Sequence, residues 1–369
     1  MSKSTKVTFV QGRATFLDSN TIEVEKVDGK KNILKFDKAI LATGSRPIEI
    51  PFAPRSKNVL DSTSALDIES IPKNILLIGG GYIGLELGTV YAGLGSEVDV
   101  VEMLPTLMAG ADRDVATILE KRLKVIFKDI MVETKVSAME ETREGIKVTF
   151  EGKDGKPSHK TYEKVLVAVG RKPNTENLGL EKTNVTVDSN GFIEVNAQRL
   201  TFDHSIYAIG DITGQPMLAH KASHEGITAA EAISGQKSAF EPNCIPAVVF
   251  TDPEIAWCGL TETEAKARGI AIEVVKFPWG ASGRAITLNR VDGMTKLIVE
   301  PQTERVLGIS IVGVGAGELI AEGVLALEMG AVVEDLSMSI HPHPTLSETV
   351  MESAESFFGH ATNIYKPKK

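Results

Sequence analysis

The stretch Asn74-Ile75-Leu76-Leu77-Ile78-Gly79-Gly80-Gly81-Tyr82-Ile83-Gly84-Leu85-Glu86, read together with Glu102, decides the fold. Asn74–Ile78 is a short apolar strand and Gly79–Gly81 is a turn. Ile83–Leu94 carries apolar residues at helical spacing, and Glu97–Val101 returns to a strand. That order is a βαβ unit. The glycines fit G-x-G-x-x-G. Gly79 permits the tight turn, Gly81 lets the backbone approach a pyrophosphate, and Gly84 lets the helix pack close to the strand. The pyrophosphate would rest on the helix N-terminus, where free N–H groups and the helix dipole favour anions. Glu102 ends the next strand 18 residues after Gly84. A carboxylate there accepts from the adenosine ribose hydroxyls and repels a 2′-phosphate, which favours NAD over NADP. The alternative is a packing turn beside a solvated glutamate.

Working outward, one internal repeat sets this unit in context. Phe36-Asp37-Lys38-Ala39-Ile40-Leu41-Ala42-Thr43-Gly44-Ser45-Arg46-Pro47 aligns without a gap to Tyr162-Glu163-Lys164-Val165-Leu166-Val167-Ala168-Val169-Gly170-Arg171-Lys172-Pro173. Both copies follow a meander of short strands. The chain therefore contains two versions of one dinucleotide-binding domain. Gly84 lies 86 residues before Gly170, whereas only 43 residues precede Gly44, so the first copy has no room for a glycine turn of its own. The N-terminal half of the first domain is expected to be missing from this chain.

The expected fold class is α/β, with two Rossmann-like dinucleotide-binding domains, the first incomplete, and a C-terminal α+β domain. Residues 1–73 read as the remainder of the first domain with a linker, 74–190 as the NAD-binding domain, 191–239 as a return to the first domain, and 240–369 as the last domain. Strands are expected over Lys6–Phe16, Thr21–Val27 and Lys31–Thr43, a small antiparallel excursion over 134–163, and a helix from about Met217 to Ser234.

Composition narrows the function classes. A length of 369 residues exceeds one ordinary core. A net charge of −9 with no basic stripe disfavours nucleic acid. No apolar run is long enough to span a membrane, and the N-terminal Met-Ser-Lys-Ser-Thr-Lys lacks the apolar core of a secretory signal. Lys366, Lys368 and Lys369 read as a solvated tail. Two cysteines make no disulfide framework, which fits a reducing, cytoplasmic setting.

Other residues carry chemistry. Glu86 follows the glycine turn and reads as a surface residue, a dipole partner, or a contact to the nicotinamide side. Gly210-Asp211 follows a buried strand, where α/β folds bind ligands; a helix N-cap is the alternative. In His341-Pro342-His343-Pro344-Thr345-Leu346-Ser347-Glu348 the prolines stiffen an extended backbone ahead of a helix. Glu348, opening that helix, can return to a His ring nitrogen, fixing its tautomer and raising its basicity, which suits a general base. A His-x-His metal site would need a third ligand that is not evident, and no metal is expected. Cys244 and Cys258 lie in apolar sequence and read as buried, inert thiols.

With these residues in hand, the chain resembles the flavin disulfide reductases, and within them the dihydrolipoyl dehydrogenase branch. The resemblance rests on Ala42–Pro47, Gly79–Glu86, Val169–Asn174, Ala208–Asp211, Gln215–Ala222 and His343–Glu348, in that order. It implies an FAD domain, an NAD domain, a return to the FAD domain and a dimerisation domain. It implies oxidation of a protein-bound dihydrolipoyl group through a disulfide and FAD to NAD, as the subunit of 2-oxoacid dehydrogenase complexes, beside a lipoyl-bearing acyltransferase. By motif match, Gly79, Gly80, Gly81, Tyr82, Ile83, Gly84, Glu86, Glu102, Val136, Ala168, Gly170 and Arg171 would line NAD. Ala14, Thr43, Gly44, Asp211, Met217, Leu218, Ala219 and His220 would line FAD. His343 would be the base and Glu348 its orienter, reaching into the partner subunit's site, so a homodimer is implied.

Two elements of the family pattern are absent from the sequence: the FAD glycine motif and the redox Cys-x4-Cys segment. This makes an N-terminally truncated chain the expectation. The other readings are a relative such as a soluble transhydrogenase, mercuric reductase or glutathione reductase, or a catalytically silent NAD-binding and dimerisation module.

Overall fold

The computed structural model describes residues 6–364. The lysines at 366, 368 and 369 and residues 1–5 lie outside the described residues. The chain forms two compact units: residues up to Arg46 with Arg171–Glu241, and Pro47–Gly170 with residues from Pro242 on.

Elements run in chain order. The first segment holds β1 (Arg13–Asp18), β2 (Thr21–Glu25), β3 (Lys31–Lys35), β4 (Ala39–Leu41) and β5 (Ser45–Pro47). Next come β6 (Val59–Leu60), β7 (Asn74–Ile78), α1 (Tyr82–Gly93), β8 (Glu97–Val101), α2 (Arg113–Ile126), β9 (Asp129–Met131), β10 (Lys135–Thr142), β11 (Gly145–Glu151), β12 (Pro157–Tyr162) and β13 (Lys164–Val167). The third segment holds β14 (Arg171–Pro173), β15 (Ile206–Ala208) and α3 (Ala219–Ile233). The last holds β16 (Ala247–Val249), β17 (Glu254–Gly259), α4 (Glu262–Arg268), β18 (Glu273–Pro278), α5 (Gly283–Thr287), β19 (Met294–Val299), β20 (Val306–Gly313), α6 (Ala316–Met329), α7 (Val333–Met338) and α8 (Glu348–Phe358).

In the larger unit a parallel sheet runs β6-β13-β7-β8-β9. Its strands are apolar at nearly every position because both faces are covered. On one side Leu77, Val98 and Val100 pack with Leu85 of α1 and Leu119 and Leu123 of α2. On the other, Leu76, Ile78 and Val101 meet Ile146, Val148 and Phe150 of the β10–β12 meander, whose alternation puts those three on its inner face. The C-terminal segment is an antiparallel sheet, β16-β17-β20-β19-β18. Its core gathers Trp279, Phe277, Leu297, Ile309 and Ile311 with Ile320 of α6 and Val350 of α8. These two sheets share a packed seam: Val249, Ile255 and Val312 join the cluster beneath α1 and α2.

A buried ammonium reinforces that seam. Lys296 of β19 has a fully buried side chain and reaches Asp112 at 2.7 Å, Asp114 at 2.9 Å and Glu262 at 2.8 Å. Burial opposes its charge, and the three carboxylates outweigh that and raise its pKa above the ordinary lysine value.

In the smaller unit β1, β2 and β3 form an antiparallel meander, and β4 pairs in parallel with β15. Phe16, Leu41, Leu180, Ile193, Ile206, Ala208 and Ile212 make its core.

Several expectations need correcting in detail. The first strand starts at Arg13, not Lys6; among the described residues 6–12 have no strand partner. The stretch 31–43 is two strands, because the chain leaves the β2–β3 hairpin at Phe36-Asp37-Lys38 and joins β15. The expected linker contains β6, which completes the parallel sheet beside β13. The compact units divide after Arg46, after Gly170 and after Glu241. Neither α5 nor α7 had been read from the sequence.

Candidate functional site

The glycine turn sits at the carboxyl end of β7, locked by backbone contacts. Gly79 N–H donates to Val101 O at 2.9 Å, and Ala168 N–H to Ile78 O at 2.8 Å. Gly79 has φ +107°, and a Cβ there would lie 2.4 Å from Ala168 O. A Cβ on Gly84 would lie 2.4 Å from Gly79 O, so only glycine lets α1 approach β7 this closely. At Gly81, by contrast, a Cβ would meet nothing within 4 Å. Gly81 is the N-cap of α1 and has no side-chain cap bond. The N-terminus of a twelve-residue helix thus has no side-chain cap and room beside its first residue, which suits a pyrophosphate. Tyr82 and Ile83 form the first helical positions.

Glu102 does more than the sequence implied. Its Oε2 accepts from Gly80 N–H at 2.7 Å and its Oε1 from Leu104 N–H at 2.8 Å. The carboxylate is therefore aimed by the loop it stabilises, and each oxygen keeps a lone pair for a ribose hydroxyl. Val136 packs on the cluster holding Ile78 and Val101, at the ends of β7 and β8. Ala168 and Gly170, with φ +121°, close the edge of the turn. Glu86 is neither surface nor dipole partner alone: its half-buried carboxylate accepts from Phe250 N–H at 2.8 Å. Burial raises its pKa, and the Phe250 bond offsets only part of that rise. Arg171 follows Gly170 in the chain. It belongs to the smaller unit, where Nε donates to Ser45 Oγ at 2.7 Å and a terminal N–H to Ser45 O at 2.8 Å.

The smaller unit gathers the residues expected at FAD. Ala14 and Thr43 line a cleft of about 930 Å³. Thr43 Oγ donates to Asn174 O at 2.7 Å, and Gly44, at φ +66°, accepts from Asn174 N–H at 2.9 Å. Asp211 accepts from Ser45 Oγ at 2.5 Å. Met217 and Leu218 lead into α3, with Ala219 and His220 its first residues and Leu218 an N-cap without a side-chain bond. Beneath them lies a network the sequence reading missed. Glu225, fully buried, accepts from Gly210 N–H at 2.6 Å and pairs with Arg199 at 2.8 Å and Lys221 at 3.0 Å. Lys221 also donates to Gly210 O at 3.2 Å and Gly214 O at 3.3 Å. The available signal was an i, i+4 Lys–Glu pair in a helix otherwise rich in alanine. These residues fit one end of an FAD. Among the described residues no second glycine turn stands beside β4 to hold the pyrophosphate.

At the start of α8, His343 Nδ1 meets Glu348 Oε1 at 2.8 Å. Glu348 Oε2 accepts from Thr345 N–H at 2.7 Å. A carboxylate only accepts, so Nδ1 carries a proton, and in the neutral ring the lone pair is then on Nε2. The His343 side chain is 77% exposed and Glu348 19%. The ring is thus open to a reacting group while its orienter is held. His341 turns elsewhere, to Glu322 and Ser339, so the two histidines do not face one ion. Among the described residues, Asp112, Asp114 and Glu262 alone cluster as metal ligands would, and Lys296 already sits among them. Cys244 and Cys258 are buried and free, as expected, but they are neighbours in space. A hydrogen bond between the thiols lowers Cys244 and raises Cys258.

A glycine turn heading a βαβ unit and, in the same compact unit, a carboxylate-held histidine point to the class. The pyridine nucleotide-disulphide oxidoreductase model matches residues 1–226 and the dimerisation-domain model of that family matches 245–354. The chain belongs to this family, whose members use FAD and NAD, and its C-terminal domain is the one through which they pair as homodimers. Among its relatives, the dihydrolipoyl dehydrogenase of Haemophilus influenzae is 51% identical over 369 residues, covering 100% of this chain and 77% of that protein. That of Geobacillus stearothermophilus is 44% identical, covering 98% of this chain and 77% of its own length. Of solved structures, LpdA from Mycobacterium tuberculosis superposes with a TM-score of 0.88 at 27% identity, over 96% of this chain and 78% of its own. The flavoprotein disulfide reductase RclA from Escherichia coli, as a Cu(II) complex, gives 0.88 at 26%, over 96% of this chain and 80% of its own. No helix among the described residues is long and apolar enough to cross a membrane.

Proposed function

We propose that this chain is a dihydrolipoyl dehydrogenase: protein-bound dihydrolipoamide and NAD+ become lipoamide, NADH and one proton. The single observation carrying the reading is the His343–Glu348 pair, with its free Nε2, in a chain that also holds a complete NAD cradle. Gly79–Gly84 and Glu102 would hold NAD. Asp211 and the start of α3 would hold the flavin end of FAD, which when bound supplies two-electron transfer between thiols and nicotinamide. His343 Nε2 takes a thiol proton, and Glu348 holds the ring and stabilises the imidazolium that forms. Glu225 and Lys221 fix the Gly210-Asp211 backbone. In a homodimer His343 serves the partner's site. The lipoyl group arrives on an acyltransferase of a 2-oxoacid dehydrogenase complex, in the cytoplasm.

No cysteine other than Cys244 and Cys258 occurs in the sequence, and both belong to the C-terminal core. No thiol relay is therefore assigned to this chain.

The test is NAD+ reduction by dihydrolipoamide with FAD supplied. His343→Gln should cut turnover by about 10²–10⁴-fold and leave NADH binding, followed by fluorescence titration, essentially unchanged. Equal turnover in the variant overturns the base assignment; absence of dihydrolipoamide-dependent NADH formation in the parent chain overturns the activity.

A further inference from the structure

His341 is two residues ahead of the proposed base, and its surroundings are different. Its side chain is 7% exposed, against 77% for His343. Nδ1 lies 2.7 Å from the carbonyl oxygen of Ser339, and Nε2 lies 2.8 Å from Glu322 Oε1 on α6. Both partners are acceptors. A neutral imidazole has one N–H and can satisfy only one of them. A ring with two N–H groups satisfies both, and it places a cation beside the Glu322 carboxylate.

The contacts continue without a break toward the base. Ser339 Oγ donates to Asp335 O of α7 at 2.7 Å. Pro342 O accepts from Thr345 Oγ at 2.8 Å. Thr345 N–H donates to Glu348, which holds His343. The segment between α7 and α8 is thereby tied at both ends. Glu348 fastens the downstream end, and His341 fastens the upstream end to α6.

We propose that His341 is a positioning residue for His343, its imidazole clamped between Glu322 and the Ser339 carbonyl. This rests on the reading of His343 as the base, although its first test does not. The clamp restricts the backbone from which His343 projects, so the exposed ring keeps one orientation without being buried. A loss of that restraint misplaces the base without removing it, which costs up to about a hundredfold in rate.

The experiment is nitrogen-resolved NMR of the full chain labelled at histidine. Native protein is expected to show an N–H on Nδ1 of His343, held by Glu348. In His341→Gln the His343 Nδ1–H should exchange with water at least about tenfold faster, because the upstream tie is gone. Glu322→Gln supplies an amide that can donate to Nε2, so a neutral His341 then satisfies both contacts. In that variant the clamp persists, and His343 should keep the exchange rate it has in the native protein. Glu322→Ala should behave like His341→Gln. In turnover assays His341→Gln should lower kcat by about tenfold with the KM for NAD+ unchanged.

Unchanged His343 exchange in a folded His341→Gln chain overturns the proposal. Should His343→Gln leave turnover intact, the base assignment fails instead, and the NMR result on the clamp still stands by itself.

Discussion

The two copies of the repeated strand differ at one edge. β13 is flanked by β6 and by β7, the strand that runs into the glycine turn. Its counterpart β4 is flanked by β15 and, among the described residues, by no strand on its other side. The register says which neighbour differs. Val165 N–H donates to Asn58 O beside β6, and the aligned Ala39 N–H donates to Ser205 O beside β15. Ala168 N–H donates to Ile78 O of β7, and the aligned Ala42 faces the open edge. β15 therefore stands where β6 stands, and the open edge corresponds to β7. The repeated strand and its Gly-x-x-Pro exit occur twice, yet among the described residues only β13 has a phosphate cradle beside it. The cradle is a property of the strand, turn and helix beside that strand, and the repeated segment merely supplies the wall.

The largest expected effect follows from these edges. Leu166→Pro removes an N–H that faces β7 from a fully buried strand and should cost about 3 kcal/mol or more. Ile40→Pro, at the aligned position, should cost below about 1 kcal/mol, because proline is tolerated on strand edges. Segment-resolved hydrogen exchange in denaturant measures both. Equal costs would mean that the β4 edge is occupied and would break the comparison.

The second effect concerns ligand. Gly84→Val drives a side chain into Gly79 O and should weaken NADH binding by about a hundredfold, or 2.7 kcal/mol. Titration by NADH fluorescence checks it. Full affinity in the variant would move the nucleotide to the smaller unit.

The smallest effect concerns the support under the complete copy. Burial by itself would raise the pKa of Asp114; Lys276 and Lys296 outweigh it and hold the carboxyl below its ordinary value of 3.8. A depressed folded pKa contributes stability above the unfolded value, and that stability is lost as pH falls through the folded one. Unfolding midpoints should therefore drop below about pH 4, with a shallower slope in Asp114→Asn. An unchanged slope would show that Asp114 carries no part of the acid response.

What could be read from sequence follows from distance along the chain. Asn74–Ile78 and Glu97–Val101 appear at the expected bounds because continuous apolar runs need no knowledge of partners. His343 and Glu348 are five residues apart, so their pairing was within reach of pattern alone. Glu102 was found as a carboxylate at the right place, but its bond to Gly80 N–H was not. That bond depends on how β8 ends beside the turn. Lys296 with Asp112, at a separation of 184 residues, and Asp211 with Ser45, at 166, are products of tertiary packing and leave no local signature. Cys244 and Cys258 read correctly as buried, yet their adjacency across the C-terminal core was invisible for the same reason. The Lys6–Gly12 stretch failed in the opposite way. It has strand-like residues and no neighbouring strand to pair with among the described residues.

The burial of the two cysteines has a practical consequence. Both thiols lie inside the C-terminal core, so thiol reagents meet an almost silent protein. A cysteine introduced in place of Ile40, which is 39% exposed on the open edge of β4, would be the fast-reacting thiol of the whole chain. Its labelling half-life would then act as a clock for that edge, lengthening whenever another strand came to lie against it.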